Sequence, residues 1–151
     1  MTHTGANWSR LSIAAALAFR WDGRRRRCYF QTRPGSYNDL ALIAFLRALK
    51  RHFSGRQIIL IWDGLRGHKS RAMRAYLNRA RTWLTVEHLP GYAPELNPVE
   101  QIWGNIKGRE LANLCPTDIL ALRRPLRTGF GRIRRQGPLA FGFLRHAGLA
   151  F

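Results

Sequence analysis

Apolar positions along the chain fall into short runs and helical stripes, separated by Gly, Pro and clusters of charge. Leu11–Phe19 (LSIAAALAF) is a run that stops at Trp21-Asp22-Gly23, where Asp-Gly signals a tight turn. Beyond Arg24–Arg27, Cys28–Thr32 has β character, so the pattern predicts two antiparallel strands joined by a hairpin, with the Arg run as a solvated strand end. Ser36, with Asp39 three residues on, offers a helix start, and Leu40, Ile43, Leu46 and Leu49 follow at helical spacing. Gln57–Trp62 (QIILIW) is short, almost wholly apolar and bounded by Gly55 and Gly64. It predicts a central strand buried on both faces and ended by Asp63.

His68–Arg81 then predicts a basic helix, with Met73, Tyr76, Leu77 and Ala80 inward, and Leu84–Leu89 a further strand. Pro90–Pro98 is a proline-rich loop. A helix starting at Asn97 or Pro98 and running to about Leu114 carries a stripe of Val99, Ile102, Trp103 and Ile106. Another, from Thr117 to about Arg135, places Ile119, Leu122, Leu126 and Phe130 inside and Arg123, Arg127 and Arg134 outside. Pro138–Phe151 is apolar with several Gly and predicts no definite element. The order strand, strand, helix, strand, helix, strand, helix, helix is that of a mixed α/β layered domain. No internal repeat interrupts it, and 151 residues suit one domain.

Charge sharpens the picture. Twenty-six Lys and Arg against eight Asp and Glu leave a net charge of +18. A folded domain this basic repels itself unless a polyanion neutralises it, which makes nucleic acid the first partner to consider. An anionic membrane surface or an Arg-rich genome are the alternatives. Met1–Arg10 lacks a signal pattern and Leu11–Phe19 is too short to span a bilayer, so the expectation is a soluble, cytoplasmic, nucleoid-associated protein with no membrane partner. Cys28 and Cys115 form no close-spaced metal pattern. They are expected as reduced thiols, with one disulfide as the alternative.

Two acids stand where chemistry gathers. Asp63 ends the apolar strand, the end of an α/β sheet at which ligands collect, although Asp-Gly after a strand is also simply a turn. Glu100 lies three residues after Asn97, with Pro98 at the first helical position, and that arrangement is also close to a capping box. At the border of the helix stripe, however, its carboxylate can point along the core edge, with Lys107 on the same side two turns later. Two carboxylates in so basic a chain suggest paired Mg²⁺ or Mn²⁺ ions acting on a phosphodiester, with Arg holding the backbone.

The stretch Ile58–Gly64, with His68-Lys69-Ser70 close behind, resembles the second catalytic Asp motif of DDE transposases of the mariner superfamily, bacterial insertion-sequence branch. Leu89-Pro90-Gly91-Tyr92-Ala93-Pro94-Glu95-Leu96-Asn97-Pro98-Val99-Glu100, followed by Trp103 and Lys107, is similar to the family's Leu-Pro-x-Tyr-Ser-Pro-x-Leu-Asn-Pro-Ile-Glu string, departing at Ala93 and Val99. The 36 residues between Asp63 and Glu100 are compatible with the family's spacing. The resemblance implies an RNase H-like mixed sheet flanked by helices. It implies metal-dependent DNA cleavage and strand transfer in cut-and-paste transposition, with Asp63 and Glu100 as catalytic metal ligands. Mg²⁺ or Mn²⁺ is the implied cofactor, DNA ends and target the partners, and a homodimer the full-length form.

His68, Lys69, Arg71, Arg74, Lys107 and Arg109 are the expected DNA contacts, with His68 a neighbour of the site rather than a ligand. The family's first Asp lies on a strand ahead of Leu11–Phe19. The chain is expected to lack that strand and the N-terminal helix-turn-helix domain, leaving a single partial catalytic domain. Asp22 sits in the hairpin turn and Asp39 at a helix start, neither where a metal site needs it. An isolated chain of this kind is expected to bind DNA with little or no strand transfer. A non-catalytic DNA-binding remnant, another RNase H-like nuclease such as a resolvase, and a membrane-surface protein are the competing classes. The proline-rich string speaks against the resolvase.

Overall fold

The computed structural model describes residues 11–64, 69–91, 93–116 and 118–149. The predicted hairpin opens the molecule. Strands β1 (Leu11–Phe19) and β2 (Arg26–Pro34) pair antiparallel from Leu11 opposite Pro34 to Phe19 opposite Arg26. Gly23 takes a positive φ of 69° in the turn, which is why Gly follows Asp there, and Asp22 Oδ1 accepts from the Arg24 N–H at 3.0 Å. Side chains alternate across the pair. Leu11, Ile13, Ala15 and Leu17, with Cys28 and Phe30, face one hydrophobic cluster, while Ala14, Ala16 and Tyr29 face another. The unbroken apolar run of β1 thus has cores on both faces. The Arg run is not merely a solvated strand end, because Arg26 lies within β2 and its Nε is buried.

The second cluster is built from helix α1 (Asp39–His52), strand β3 (Ile58–Trp62), helix α2 (Arg71–Ala80) and strand β4 (Leu84–His88). Asn38, not Ser36, caps α1: its Oδ1 accepts from the Ala41 N–H at 2.9 Å. Leu40 is correspondingly outside, 65% exposed, and Ala41, Ile43, Phe45, Leu46 and Leu49 form the buried face. Ser70 caps α2 through the Met73 N–H, so this helix starts later than the sequence suggested. Strands β3 and β4 pair parallel, Ile58 opposite Leu84 through Trp62 opposite His88. Contrary to expectation, the described residues cover β3 on one face only. Ile59 and Ile61 remain 72% and 52% exposed, whereas Ile58, Leu60 and Trp62 meet the cluster.

Helices α3 (Pro98–Lys107), α4 (Arg123–Arg135) and α5 (Gly137–His146) close the first cluster. Helix α3 ends well before Leu114: past Gly108 the i→i−4 ladder is abandoned, and the Arg109 and Leu111 N–H groups both donate to the Ile106 carbonyl, at 3.3 and 3.1 Å. The helix predicted from Thr117, which itself lies outside the described residues, splits into a 3-10 turn over Ile119–Leu122 and then α4. Pro125 has no N–H for the Ala121 carbonyl, so an unbroken α-helical ladder cannot run through this segment. Pro138, in the first turn of α5, supports the helix the sequence left undefined. Arg132 staples α4 to the end of α3, its Nε 2.6 Å from Glu110 Oε1 and one terminal nitrogen 2.7 Å from Asn105 Oδ1.

Among the described residues the strands form two two-stranded sheets, β1–β2 antiparallel and β3–β4 parallel. The edge of β1 away from β2 and that of β3 away from β4 carry no further strand among them. The pairs are linked by side chains, Ala14 and Ala16 packing on the cluster that holds Trp62 and Leu84. No helix of the described residues is long and apolar enough to cross a membrane. Cys28 is buried and Cys115 exposed, both free.

Candidate active site

Asp63 is the first residue past β3 and is half-buried. The ladder between β3 and β4 extends up to it, since the Leu89 N–H donates to the Trp62 carbonyl at 2.8 Å. The chain leading to Glu100 therefore departs from beside Asp63, at the carboxyl end of a parallel strand pair. Gly64 follows, and a Cβ placed there would stand 3.5 Å from Lys69 Nζ, so an ammonium lies against this corner. His88, opposite Trp62 in register, brings its ring to 6.1 Å from the indole, a neighbour the sequence had not flagged.

From Leu89 the chain runs through a 3-10 turn at Pro94–Leu96 into α3. Asn97 caps that helix, accepting from the Val99 N–H at 3.1 Å. The Asn97 N–H is taken by the Pro94 carbonyl at 3.0 Å. A capping box would need that same N–H for the Glu100 carboxylate, so the turn built by the proline string leaves Glu100 out of the box. Glu100 is exposed, while Ile102 and Ile106 on the inner stripe are 0% and 1% accessible. Asp63 thus lies beside Leu89, where the segment towards α3 leaves the strand pair, and Glu100 lies in the first turn of that helix.

Both offer hard carboxylate oxygens, the donor type that Mg²⁺ and Mn²⁺ take, and so fit such an ion in kind. The number of ligands is smaller than a three-acid centre: among the described residues no group of three or more His, Cys, Asp or Glu could hold a metal. Asp22 and Asp39 are engaged locally, as expected. Asp22 pairs with Arg20 at 3.2 Å and Asp39 Oδ1 accepts from the Leu40 N–H at 2.9 Å.

Of the predicted DNA contacts, Lys69, Arg71 and Arg74 are exposed around the start of α2, and Lys107 and Arg109 at the end of α3. His68 lies outside the described residues. The first turn of α2 carries Arg where its dipole is already positive, and no acid offsets it. Such an arrangement suits an external anion beside Asp63.

The fold and the motifs converge in the comparisons with known proteins. The chain resembles the Mos1 mariner paired end complex solved with Mn, at 17% identity and a TM-score of 0.62, over 91% of this chain and 52% of that one. It thus spans about half the length of that chain. It also resembles the Mos1 transposase catalytic domain solved with raltegravir and Mg, at 17% identity and a TM-score of 0.54, over 93% and 84% of the two chains. At such identity the likeness is one of fold, the RNase H-like arrangement expected from the sequence. No curated protein sequence matches it. The DDE superfamily endonuclease model, however, matches residues 3–119, which include β3, the proline string and the start of α3. With most of its length matched in this way, and the fold of mariner transposase catalytic domains, the chain belongs to the DDE superfamily endonucleases.

Proposed function

We propose that the chain is the catalytic-core portion of a cut-and-paste DNA transposase of the bacterial insertion-sequence branch, in which Asp63 and Glu100 hold Mg²⁺ or Mn²⁺. The observation that carries this is the turn at Pro94–Leu96, whose Pro94 carbonyl takes the Asn97 N–H and so spares Glu100 from capping its own helix. When bound, a divalent cation stabilises charge on the attacking and leaving oxygens of a phosphodiester. The protein's part is to position the carboxylates and grip the backbone through His68, Lys69, Arg71, Arg74, Lys107 and Arg109. DNA ends and target are the substrates in this reading, and a homodimer is the full-length form.

The isolated chain is then a DNA-binding module more than an enzyme. The net charge of +18 and the exposed Lys69, Arg71 and Arg74 support the DNA-binding part of this reading, and among the described residues the outer edges of β1 and β3 carry no strand. A strand bearing a third carboxylate along those edges would complete both sheet and site. Calorimetric titration with Mn²⁺ tests the carboxylates: binding in the wild type should be lost in Asp63→Asn and in Glu100→Gln. Equal Mn²⁺ affinity in all three chains would remove the metal assignment. Duplex DNA should bind with a steep log–log salt dependence, while a clean Mg²⁺-dependent cut at defined ends by the 151 residues alone would contradict the module reading.

A further inference from the structure

At the other end of the parallel strand pair from Asp63, helices α1 and α2 pack side by side over the core that holds Trp62 and Leu84. Trp83, the residue before β4, marks that end, since its carbonyl accepts from the Ile58 N–H at 2.7 Å. Asp63 lies past the opposite end of β3, about 16 Å away along the strand. Between the two helices runs an open groove of about 210 Å³, lined by Arg47, Lys50, Tyr76, Arg79, Ala80 and Trp83. Half of its lining residues are cations and none is an acid.

Helical spacing brings these cations together. Arg47 and Lys50 stand one turn apart on α1, as Tyr76 and Arg79 do on α2. The cations of α1 reach across to rings contributed by α2 and the turn that follows it. The Arg47 guanidinium lies 5.8 Å from the centre of the Tyr76 ring, and Lys50 Nζ 5.4 Å from that of Trp83. An aromatic face attracts a cation without cancelling its charge. Burial raises the Tyr76 phenol above its ordinary range although Arg47 pulls the other way, so the ring beneath Arg47 is neutral at neutral pH. No carboxylate among the described residues pairs with Arg47, Lys50 or Arg79. A helix dipole favours cations in a last turn, which accounts for Lys50 and Arg79 one at a time. It does not account for three uncancelled charges folded onto one groove, where they repel one another.

We infer that the groove between α1 and α2 is a second contact surface for duplex DNA, gripping backbone phosphates through Arg47, Lys50 and Arg79 away from the carboxylates. The surface supplies positive charge and little else. Tyr76 belongs to the core cluster and Trp83 packs against it, while Arg47 and Lys50 lie over their rings. A base therefore finds no open platform for stacking. A protein partner would need an apolar anchor in a free pocket, and here the rings are already occupied. Phosphates ask only for donors and charge, so the contact carries no sequence preference. The inference rests on the reading of DNA as the partner but requires no metal ion, and Asp63 and Glu100 take no part in it.

Fluorescence anisotropy of the whole chain with a short duplex of arbitrary sequence, in rising NaCl and without divalent metal, tests it. Arg47→Gln, Lys50→Gln and Arg79→Gln should each lower the log–log salt slope by about 0.9, and the triple variant by about 2.7. All three side chains are exposed, so the fold should hold. Arg33→Gln, at an exposed arginine outside the groove, removes the same charge and should leave the slope near that of the wild type. A triple variant with the wild-type slope overturns the inference and leaves DNA as the partner. An equal fall with Arg33→Gln overturns it as well, because any surface arginine would then serve. A wild type that binds no duplex overturns both this surface and the reading of DNA as partner. Poly-glutamate bound as tightly as the duplex at equal charge would put an acidic protein segment in the groove instead.

Discussion

On the side of β1 that carries Leu11, Ile13, Ala15 and Leu17, three helices close over the strand pair, and Ile102, Ile106, Phe130 and Ile133 are all at most 1% exposed. On the side that carries Ala14 and Ala16, Met73 is fully buried, but Ile43, Phe45, Trp62 and Tyr76 each retain 7–9% exposure, and the next strand turns Ile59 and Ile61 to solvent. The difference is one of what each core needs. A helix stripe buries itself against other helices by periodicity alone. A strand is closed only where a neighbour pairs its edge and a layer covers each face, and among the described residues β3 has β4 on one edge and helices on one face. The catalytic candidates fall along this divide: Asp63 belongs to the open half, and Glu100 to a helix anchored in the closed one.

The largest effect should come from the closed core. Phe130 stacks on Phe30 with ring centres 3.9 Å apart and meets Trp103 edge-on at 5.8 Å. Phe130→Ala should cost about 3–5 kcal/mol in urea unfolding. A loss of under about 1 kcal/mol, the scale of a surface change, would mean that this side is no better packed than the other.

The Arg132 staple comes next. Glu110 and Arg132 side chains are only 11% and 16% exposed, and the hydrogen bond from Arg132 is the main reason the Glu110 carboxyl sits below its ordinary range. A depressed carboxyl contributes stability that is full above its unfolded value, 4.5, and is lost as pH falls through the lower folded value. Arg132→Met leaves a largely buried carboxylate unpaired and should cost about 2–3 kcal/mol at pH 7, somewhat less than a fully buried pair. Thermal melts between pH 7 and 3 should show the wild type losing part of its advantage over this variant below about pH 4.5. Parallel pH profiles would detach Glu110 from the effect. Gly129→Ala should destabilise as well, because its Cβ would lie 3.0 Å from Ile106 Cγ1 and 3.1 Å from the Glu110 carboxylate that Arg132 holds.

A smaller effect separates two candidate caps. Asn38→Ala should cost about 1 kcal/mol and Ser36→Ala under 0.5 kcal/mol, since the Ala41 N–H is held by Asn38. The reverse order in thermal unfolding would restore the cap suggested by the sequence.

That cap illustrates what the sequence could and could not disclose. Strong periodicity located β1, α1, β3, α2, β4 and α3 because burial of one stripe or one run leaves its mark at fixed spacing. Helix ends were less legible. Ser36 and Asn38 both have capping side chains, and only the backbone decides which one flanks the first turn. Exposure of Ile59 and Ile61 was illegible, because an apolar run reports what a strand can bury and says nothing of whether neighbours are present to bury it. At the candidate site, Asp63 and Glu100 could be read from motif order, whereas the fate of the Asn97 N–H, which distinguishes a cap from an available carboxylate, required the turn at Pro94–Leu96. The Arg24–Arg27 run was visible but looked like solvated charge. Nothing in its spacing marks Arg26 as the side chain whose Nε is buried against the start of α5.

The smallest effect bears most directly on the open half. Ile59 and Ile61 occupy one face of β3, and the outward positions of β4 opposite them are Thr85 and Glu87. Replacing both isoleucines by Thr keeps β-branching, and with it the strand preference. It removes apolar surface that folding has only partly taken from water, so unfolding should change by about 0.5 kcal/mol or less per site. Leu60→Thr, one residue away but turned to the cluster, should cost several times more, because strand alternation puts it on the packed face. Equal losses at positions 59, 60 and 61 would show that both faces of β3 are covered in solution, and the contrast between the halves would disappear.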